Sequence, residues 1–490
     1  MIPGRATPEG TARLADGRPG YRRLGRTDLT VSLVGFGGYR AGRKAPEHRE
    51  ALNAALAGGV NLLDTSSNYM LGDSERLIGE VLAEAAVPRD GVVVVSKIGY
   101  VQGPNLDLAQ QRESAGQPFP DMVKYMDGCW HCISPEFLED QLTRALERLG
   151  LETIDVLLLH NPEYFLTDAA HRDSDGDLET VRSEFYARMQ RAFQYLDGVV
   201  AAGRIGAYGV SSNSCVSPTD DPEMTSVTRM AAASADRMAV LQLPYNLFEA
   251  GALLERNTPE GTALDAAGAH DLGVLVNRPL NAMARYQGRP ARLIRLADPP
   301  GPEHPGSDTA LRARVEALGQ REAALAAGLP DLVPPRVSEL LLGVWEEMAY
   351  PQAFQQMFRF EIVPEAQRGL RALVAALDEL PDPERLQQIQ AYQDELNALV
   401  EPLQARASRQ DSRVVEQIRR TIQPYLPLEL WNESLSRVAM DFVASTPGVT
   451  CVLNGMRHPL YVADGLGVMT LPPVPDVTAV ARALAASLEA

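Results

Sequence analysis

Residues 61–75 read NLLDTSSNYMLGDSE, and their reading decides the fold. Together with Val60 the stretch opens on an apolar run that ends at a carboxylate, Asp64. Such a run predicts a buried strand with its charge at the C-terminal end. Five residues on, in a segment of Ser, Asn and Gly that predicts loop, stands Tyr69. A carboxylate at a strand end and a phenol in the loop behind it are parts of a catalytic site on the C-terminal rim of a βα barrel.

Outward from this stretch, strands and helices alternate. Predicted strands cover 33–37, 60–64, 92–97, 154–160, 207–211, 239–243, 274–277 and 450–454; helical periodicity covers 74–85, 135–149, 178–202, 260–269 and 435–444. A short hairpin with its turn near Thr27 and Asp28 precedes the first strand. This alternation fits a (β/α)8 TIM barrel better than an open Rossmann sheet. The glycines of GFGGYRAG, at 35, 37, 38 and 42, do not match G-x-G-x-x-G, and no helix opens directly on them.

Two stretches interrupt the pattern. Residues 99–134 are too long for an ordinary βα loop and hold Tyr100, Phe119, Tyr125 and Trp130, so a functional loop is expected. In residues 284–427 a proline-rich entry, RLADPPGPEHPG, precedes helical segments with apolar residues at three and four spacing. The expected organisation is a disordered N-terminal lead-in at 1–20, the first part of the barrel at 21–283, an inserted helical subdomain at 284–427, and the last part of the barrel with a C-terminal helix at 428–490. The large, mostly helical insertion thus lies between the seventh strand and the seventh barrel helix. It reads either as a helical decoration with an oligomer contact or as a lid, because it leaves the barrel on the rim.

Composition sets the bounds. The 490 residues are 45% hydrophobic and 22% charged, with a formal charge of −18. No run of 18 apolar residues predicts a membrane span, and the acidic balance repels a phosphate backbone, so neither membrane nor nucleic acid is expected as a partner. The N-terminus has no apolar core of a secretory signal, and four scattered cysteines are no disulfide framework. A soluble, cytoplasmic protein with reduced thiols is the expectation. Cys129 and Cys132 form the motif CWHC, a spacing that suits a redox pair or half a zinc site. No second pair follows and a helix starts at once, so no metal site is assigned. Trp130 and His131 read instead as a loop bordering a substrate mouth.

Only three of the 46 basic residues are lysine, and one of them, Lys97, ends an apolar strand. His160 ends the next. Consecutive barrel strands lie side by side, so Asp64, Lys97 and His160 converge on one rim with Tyr69 behind them. Proton donation to a carbonyl oxygen needs such a set. A phenol is a weak acid; an ammonium beside it stabilises the phenolate, a carboxylate holds the ammonium, and a neutral imidazole orients the carbonyl. No side chain supplies a hydride, so a redox cofactor is implied.

The tetrad and its surroundings resemble the aldo-keto reductase superfamily over about 21–280 and 430–466. The resemblance rests on YRRLGRTDLTVSLVGFGG, GVNLLDTSSNYMLGDSERLIGEVL, VVVVSKIG, LERLGLETIDVLLLHNP, GRIGAYGVSSNS, LQLPYNLFE and TPGVTCVLNGMRHPLYVADGL. It implies Tyr69 as general acid and base, Lys97 as its modulator, Asp64 as the partner of Lys97, and His160 as the orienting group. It also implies that Ser211, Ser212 and Gln242 hold a nicotinamide carboxamide, with Gly37, Gly38 and Tyr39 near the nicotinamide and its ribose. Arg278, Pro279 and Leu280 would lie over the pyrophosphate, and Gly455, Arg457 and Tyr461 near the adenosine. Ser212, Tyr461 and Gly465 stand where the family has Asn, Gln and Asn. The implied cofactor is NADP(H), favoured over NAD(H), with Arg457 a contact for a 2′-phosphate. Tyr39, Trp130 and His131 are the expected substrate contacts, and the implied substrate is a small carbonyl compound or alcohol. A homo-oligomer is left open. The rival reading is a nicotinamide-binding, redox-sensing barrel that acts through its helical insert with little turnover.

Overall fold

The computed structural model describes residues 1–172, 177–259, 261–284, 292–297, 308–327, 333–346, 348, 351–379 and 383–489. Eight parallel strands close into a barrel: β1 (Val34–Gly37), β2 (Leu62–Asp64), β3 (Val93–Ile98), β4 (Ile154–His160), β5 (Ile205–Ser211), β6 (Val240–Pro244), β7 (Gly273–Asn277) and β8 (Cys451–Asn454). Each pairs with its sequence neighbours, and β8 closes on β1. The antiparallel hairpin Tyr21–Arg23 and Thr30–Ser32 precedes β1, with Asp28 in a left-handed conformation at its turn.

Strands buried on both faces read as near-continuous apolar runs, and every residue of β3 and β4 is buried. Alternation along each strand then decides what enters the lumen. Leu62, Val93, Val95, Val156, Leu158 and Val240 share one core cluster. Two residues beyond the last of these on each strand come Asp64, Lys97, His160 and Gln242, so the same face carries apolar filling below and polar groups at the C-terminal rim. The opposite face of β3 packs outward: Ser96 donates to Glu75 at 2.6 Å on the helix Asp73–Glu84.

The helix anticipated at 260–269 spans Ala263–Ala269 and opens on a capping box between Thr262 and Asp265; Glu260 lies outside the described residues. Residues 1–20 are not the disordered lead-in that their Gly, Pro and small residues suggested. They form a helix, Pro8–Ala15, N-capped by Thr7, and the Ala6 N–H donates to buried Asp155 at 2.6 Å. Ala6 joins the barrel cluster with Leu24, Leu29 and Val31. This segment is ordered because it covers apolar barrel residues, a tertiary reason that local composition does not carry.

The stretch 99–134 is a small subdomain. Tyr100–Val101 and Val123–Met126 each pair antiparallel with Cys129–His131, and the helix Pro104–Ser114 lies between the first two in sequence.

The chain divides into two units, Met1–Arg292 with Thr421–Ala490, and Leu293–Arg420. The second contains the helices Asp308–Ala326, Val337–Gly343 and Val363–Glu379 and most of Pro383–Ile422. Its own core includes Leu311, Val315, Leu318, Leu341, Tyr392 and Leu399. Residues 298–306 of the proline-rich entry lie outside the described residues. Among the described residues, no helix is long and apolar enough to cross a membrane.

Candidate active site

Lys97 is the hub of the rim. Its Nζ donates to Asp64 Oδ2 at 2.8 Å, to the Thr65 carbonyl at 2.9 Å and to the Tyr69 hydroxyl at 3.3 Å. It also sits 4.7 Å from the centroid of the Tyr69 ring. The second oxygen of Asp64 accepts from Gln242 Nε2 at 2.8 Å, and Gln242 Oε1 in turn accepts from Ser211 at 3.2 Å. Parallel register sets Ser211 beside both His160 and Gln242.

Burial works against the Lys97 charge, but Asp64 and then Tyr69 outweigh it and hold the ammonium above its ordinary value. Burial pushes the Asp64 carboxyl up, with Lys97 and Gln242 pulling against it. His160 is held well below its ordinary value by burial, then by the charge of Lys97 and by His131. Its ring is therefore held in the neutral form. Tyr69 departs from the sequence reading. Burial raises the phenol further than Lys97 lowers it, so the hydroxyl keeps its proton until an oxygen more basic than water's appears beside it.

Tyr39 is 59% exposed and meets the Tyr69 ring edge-on at 5.3 Å. Gly38 belongs to the close approach of β1 to β2: a Cβ there would stand 2.6 Å from Ser74 Oγ and 2.8 Å from the Asp64 carbonyl. Next to it, a Cβ on Gly37 would meet the Asn454 carbonyl at 3.0 Å. Ser212 is brought to the rim but faces away from the lumen group, its hydroxyl 2.9 Å from Thr225 Oγ1. After β7, Arg278 has φ 55° and pairs with Glu249 at 3.2 Å; Pro279 and Leu280 follow. After β8, Gly455 has open space on its Cβ side, Arg457 is half-buried, and the Tyr461 carbonyl accepts from Asn454 at 3.2 Å.

His131 corrects the expectation of a mouth residue. It is 2% exposed, its Nε2 lies 2.7 Å from the His160 carbonyl, and its ring stacks on Tyr164 and meets Tyr100 edge-on. It supports the His160 backbone from behind, because the pairing of Tyr100–Val101 with Cys129–His131 carries it inward. Trp130 remains half-buried under the Lys124 ammonium. Cys129 and Cys132 are free thiols with separate partners, Gln102 for the first and the Pro120 carbonyl with Ser134 for the second.

Sequence reasoning assigned no individual role to several groups. Ser66 Oγ stands 3.0 Å from His160 Nδ1. Tyr100 meets the His160 ring edge-on at 4.7 Å and accepts from Asn161 at 2.8 Å. Glu163, three residues past His160, is buried; its Oε1 accepts from the Asn213 N–H at 2.6 Å, and its Oε2 has no partner among the described residues. Ser66 lies inside the stretch 61–75, so its signal was a hydroxyl two residues from a strand-end carboxylate.

Glu163 yields a pH prediction. Burial raises its carboxyl from an ordinary 4.5 to about 7. A raised carboxyl contributes stability that is complete below pH 4.5 and is lost as pH rises through 7. The loss across that window is about 3 kcal/mol at 1.36 kcal/mol per unit. Glu163→Gln does not titrate, so its melting temperature should gain on the wild type between pH 5 and pH 8. Parallel melting curves at the two pH values would contradict the assignment.

Fold and rim together define a (β/α)8 barrel carrying a Lys-centred acid–base group at the C-terminal ends of its strands. The sequence profile of the Aldo/keto reductase family matches residues 33–294, and the chain belongs to that family. It is 29% identical over 145 residues to the NADH-specific methylglyoxal reductase of Escherichia coli, covering 28% of this chain and 40% of that protein. It is 33% identical over 154 residues to the aldo-keto reductase AMT2 of Alternaria alternata, covering 29% of this chain and 41% of that protein. The match thus spans about two fifths of the length of each relative. A solved structure, the holo form of aldo-keto reductase AKR11C1 from Bacillus halodurans, is similar at 14% identity and TM-score 0.49, covering 95% of this chain and 96% of that one.

Proposed function

We propose that the protein interconverts an aldehyde or ketone and the corresponding alcohol with a nicotinamide dinucleotide, Tyr69 acting as general acid and base. The observation that carries this reading is Lys97 bound at once to Asp64 and Tyr69 beside a neutral His160. In the reductive direction His160 Nε2 donates a hydrogen bond to the carbonyl oxygen and fixes its position. As charge grows on that oxygen, Tyr69 releases its proton to it, and Lys97 stabilises the phenolate left behind. Asp64 keeps Lys97 charged and in place, and Gln242 and Ser211 keep Asp64 in place.

The rim has unspent polar groups that fit the dinucleotide. Arg278 Nε and Asn277 Oδ1, at the end of β7, are buried without partners among the described residues. They would serve its phosphates and ribose, with Gly455 leaving room beside Arg457. Bound there, the nicotinamide supplies the hydride that no side chain can. NADP(H) is the form proposed, because Arg457 offers a guanidinium to a 2′-phosphate. The similarity to an NADH-specific relative makes the comparison with NADH necessary.

Titration with NADPH and NADH, followed by nicotinamide fluorescence, tests this reading. NADPH should bind more tightly, and Arg457→Ala should weaken NADPH about tenfold, the cost of one charge-assisted contact, while leaving NADH unchanged. Absence of binding by either form would overturn the proposal.

A further inference from the structure

The structure joins His160 to the CWHC motif by a row of side chains that the mechanism above does not use. Ser66 Oγ lies 3.0 Å from His160 Nδ1 and donates to Asn68 Oδ1 at 2.7 Å. Asn68 Nδ2 donates to Gln102 Oε1 at 3.4 Å, and Gln102 Nε2 donates to Cys129 Sγ at 3.1 Å. The three links beyond Ser66 run the same way, outward from the imidazole, and the Ser66 hydroxyl also has the Lys97 carbonyl at 3.2 Å as a second acceptor. Ser66 and Cys129 are buried, while Asn68 and Gln102 are half-buried, so the row crosses from the lumen into the subdomain inserted after β3.

Direction matters because a serine hydroxyl has one proton. When Ser66 gives that proton to Asn68, its oxygen can only accept from His160. The imidazole then carries its hydrogen on Nδ1 and presents a bare lone pair at Nε2. Such a ring cannot donate to a carbonyl oxygen. If Asn68 and Gln102 both turn their amides end for end, every link reverses without moving a heavy-atom position. The Cys129 thiol then donates to Gln102, Gln102 to Asn68, and Asn68 to Ser66. Ser66 in turn donates to His160 Nδ1, and the hydrogen sits on Nε2. A thiol can donate or accept weakly, so the Cys129 terminus permits both directions.

We propose that Ser66, Asn68 and Gln102 are positioning residues that form a two-direction relay, and that its direction sets which nitrogen of His160 carries the proton. The functional consequence rests on the reductase reading. One direction makes His160 a hydrogen-bond donor and competent; the other makes it an acceptor and idle. Exchange between the two leaves the ring neutral: water accepts one proton from Nδ1 and returns one to Nε2. The carbonyl oxygen of a bound substrate favours the competent direction, because only that direction gives it a partner. The recognition step thereby draws on residues that never touch the substrate.

The test fixes the relay and reads the ring. Asn68→Asp is isosteric, and its carboxylate can only accept, so Ser66 must donate to it and His160 must hold its hydrogen on Nδ1. Ser66→Ala removes the link. Imidazole 15N–1H spectra of histidine-labelled protein at pH 8, with the His160 signal assigned by its loss in His160→Gln, report the tautomer directly. Asn68→Asp should show the Nδ1–H form, lose at least tenfold in kcat for carbonyl reduction, and keep NADPH affinity within twofold. Ser66→Ala should show a mixture and an intermediate loss. A His160 tautomer ratio unchanged in both variants overturns the relay, as does a changed ratio with turnover intact. If the wild type reduces no carbonyl compound, the reductase reading fails, and the tautomer response alone then decides whether the relay exists.

Discussion

Tyr69→Phe should abolish nearly all carbonyl reduction while leaving the fold and the cofactor site in place. The hydroxyl has one polar contact among the described residues, Lys97 at 3.3 Å. Its removal therefore costs about 1 kcal/mol of stability, the worth of one hydrogen bond. The catalytic loss is of another order. Burial keeps the phenol protonated against the pull of Lys97, so in the proposed reduction Tyr69 would reach the transition state still holding the proton that the new alcohol needs. Without that group the developing alkoxide has only the hydrogen bond from His160, and kcat should fall about 10²- to 10⁴-fold, the usual worth of a positioned general acid. NADPH affinity should change less than twofold. Turnover within tenfold of the wild type would move the acid role to another group.

The rim was legible because barrel geometry converts a strand end into a site. Each of Asp64, Lys97 and His160 closes an apolar run, and alternation turns the last inward position of such a run toward the lumen. Their meeting follows from strand order, which the βα alternation already contains. What stayed hidden depends on contacts between distant residues with no local signal. Strands of two or three residues, such as Tyr100–Val101 and Cys129–His131, are too short to show a period, so their pairing and the burial of His131 could not be foreseen. The ordering of residues 1–20 rests on the apolar barrel residues they cover and on Asp155, which lies on β4 at the far end from His160. The net rise of the Tyr69 hydroxyl depends on how far burial outruns one ammonium, a balance that residue types alone do not give.

The Lys97–Asp64 pair combines a structural and a chemical role, and two variants should separate them. Lys97 is fully buried and Asp64 nearly so. Lys97→Met removes the ammonium and leaves a carboxylate whose only remaining side-chain donor among the described residues is Gln242. Removal of one partner from a buried pair costs about 3–5 kcal/mol, because the other charge stays desolvated. Asp64 escapes part of that cost by taking up a proton, which raises its folded-state value further above the unfolded one. A carboxyl raised in this way is most stable below its unfolded value, near pH 4, and loses stability as pH climbs through the folded value. The deficit of Lys97→Met against the wild type should therefore be small at pH 4 and grow toward pH 8 in urea titrations. Adding Asp64→Asn removes the stranded charge, so the double variant should recover most of the stability lost at pH 8. It should recover none of the turnover, because no ammonium remains to stabilise the Tyr69 phenolate. A double variant no more stable than Lys97→Met would mean that the loss came from packing around the lysine stem, and that the ion pair contributes nothing beyond volume.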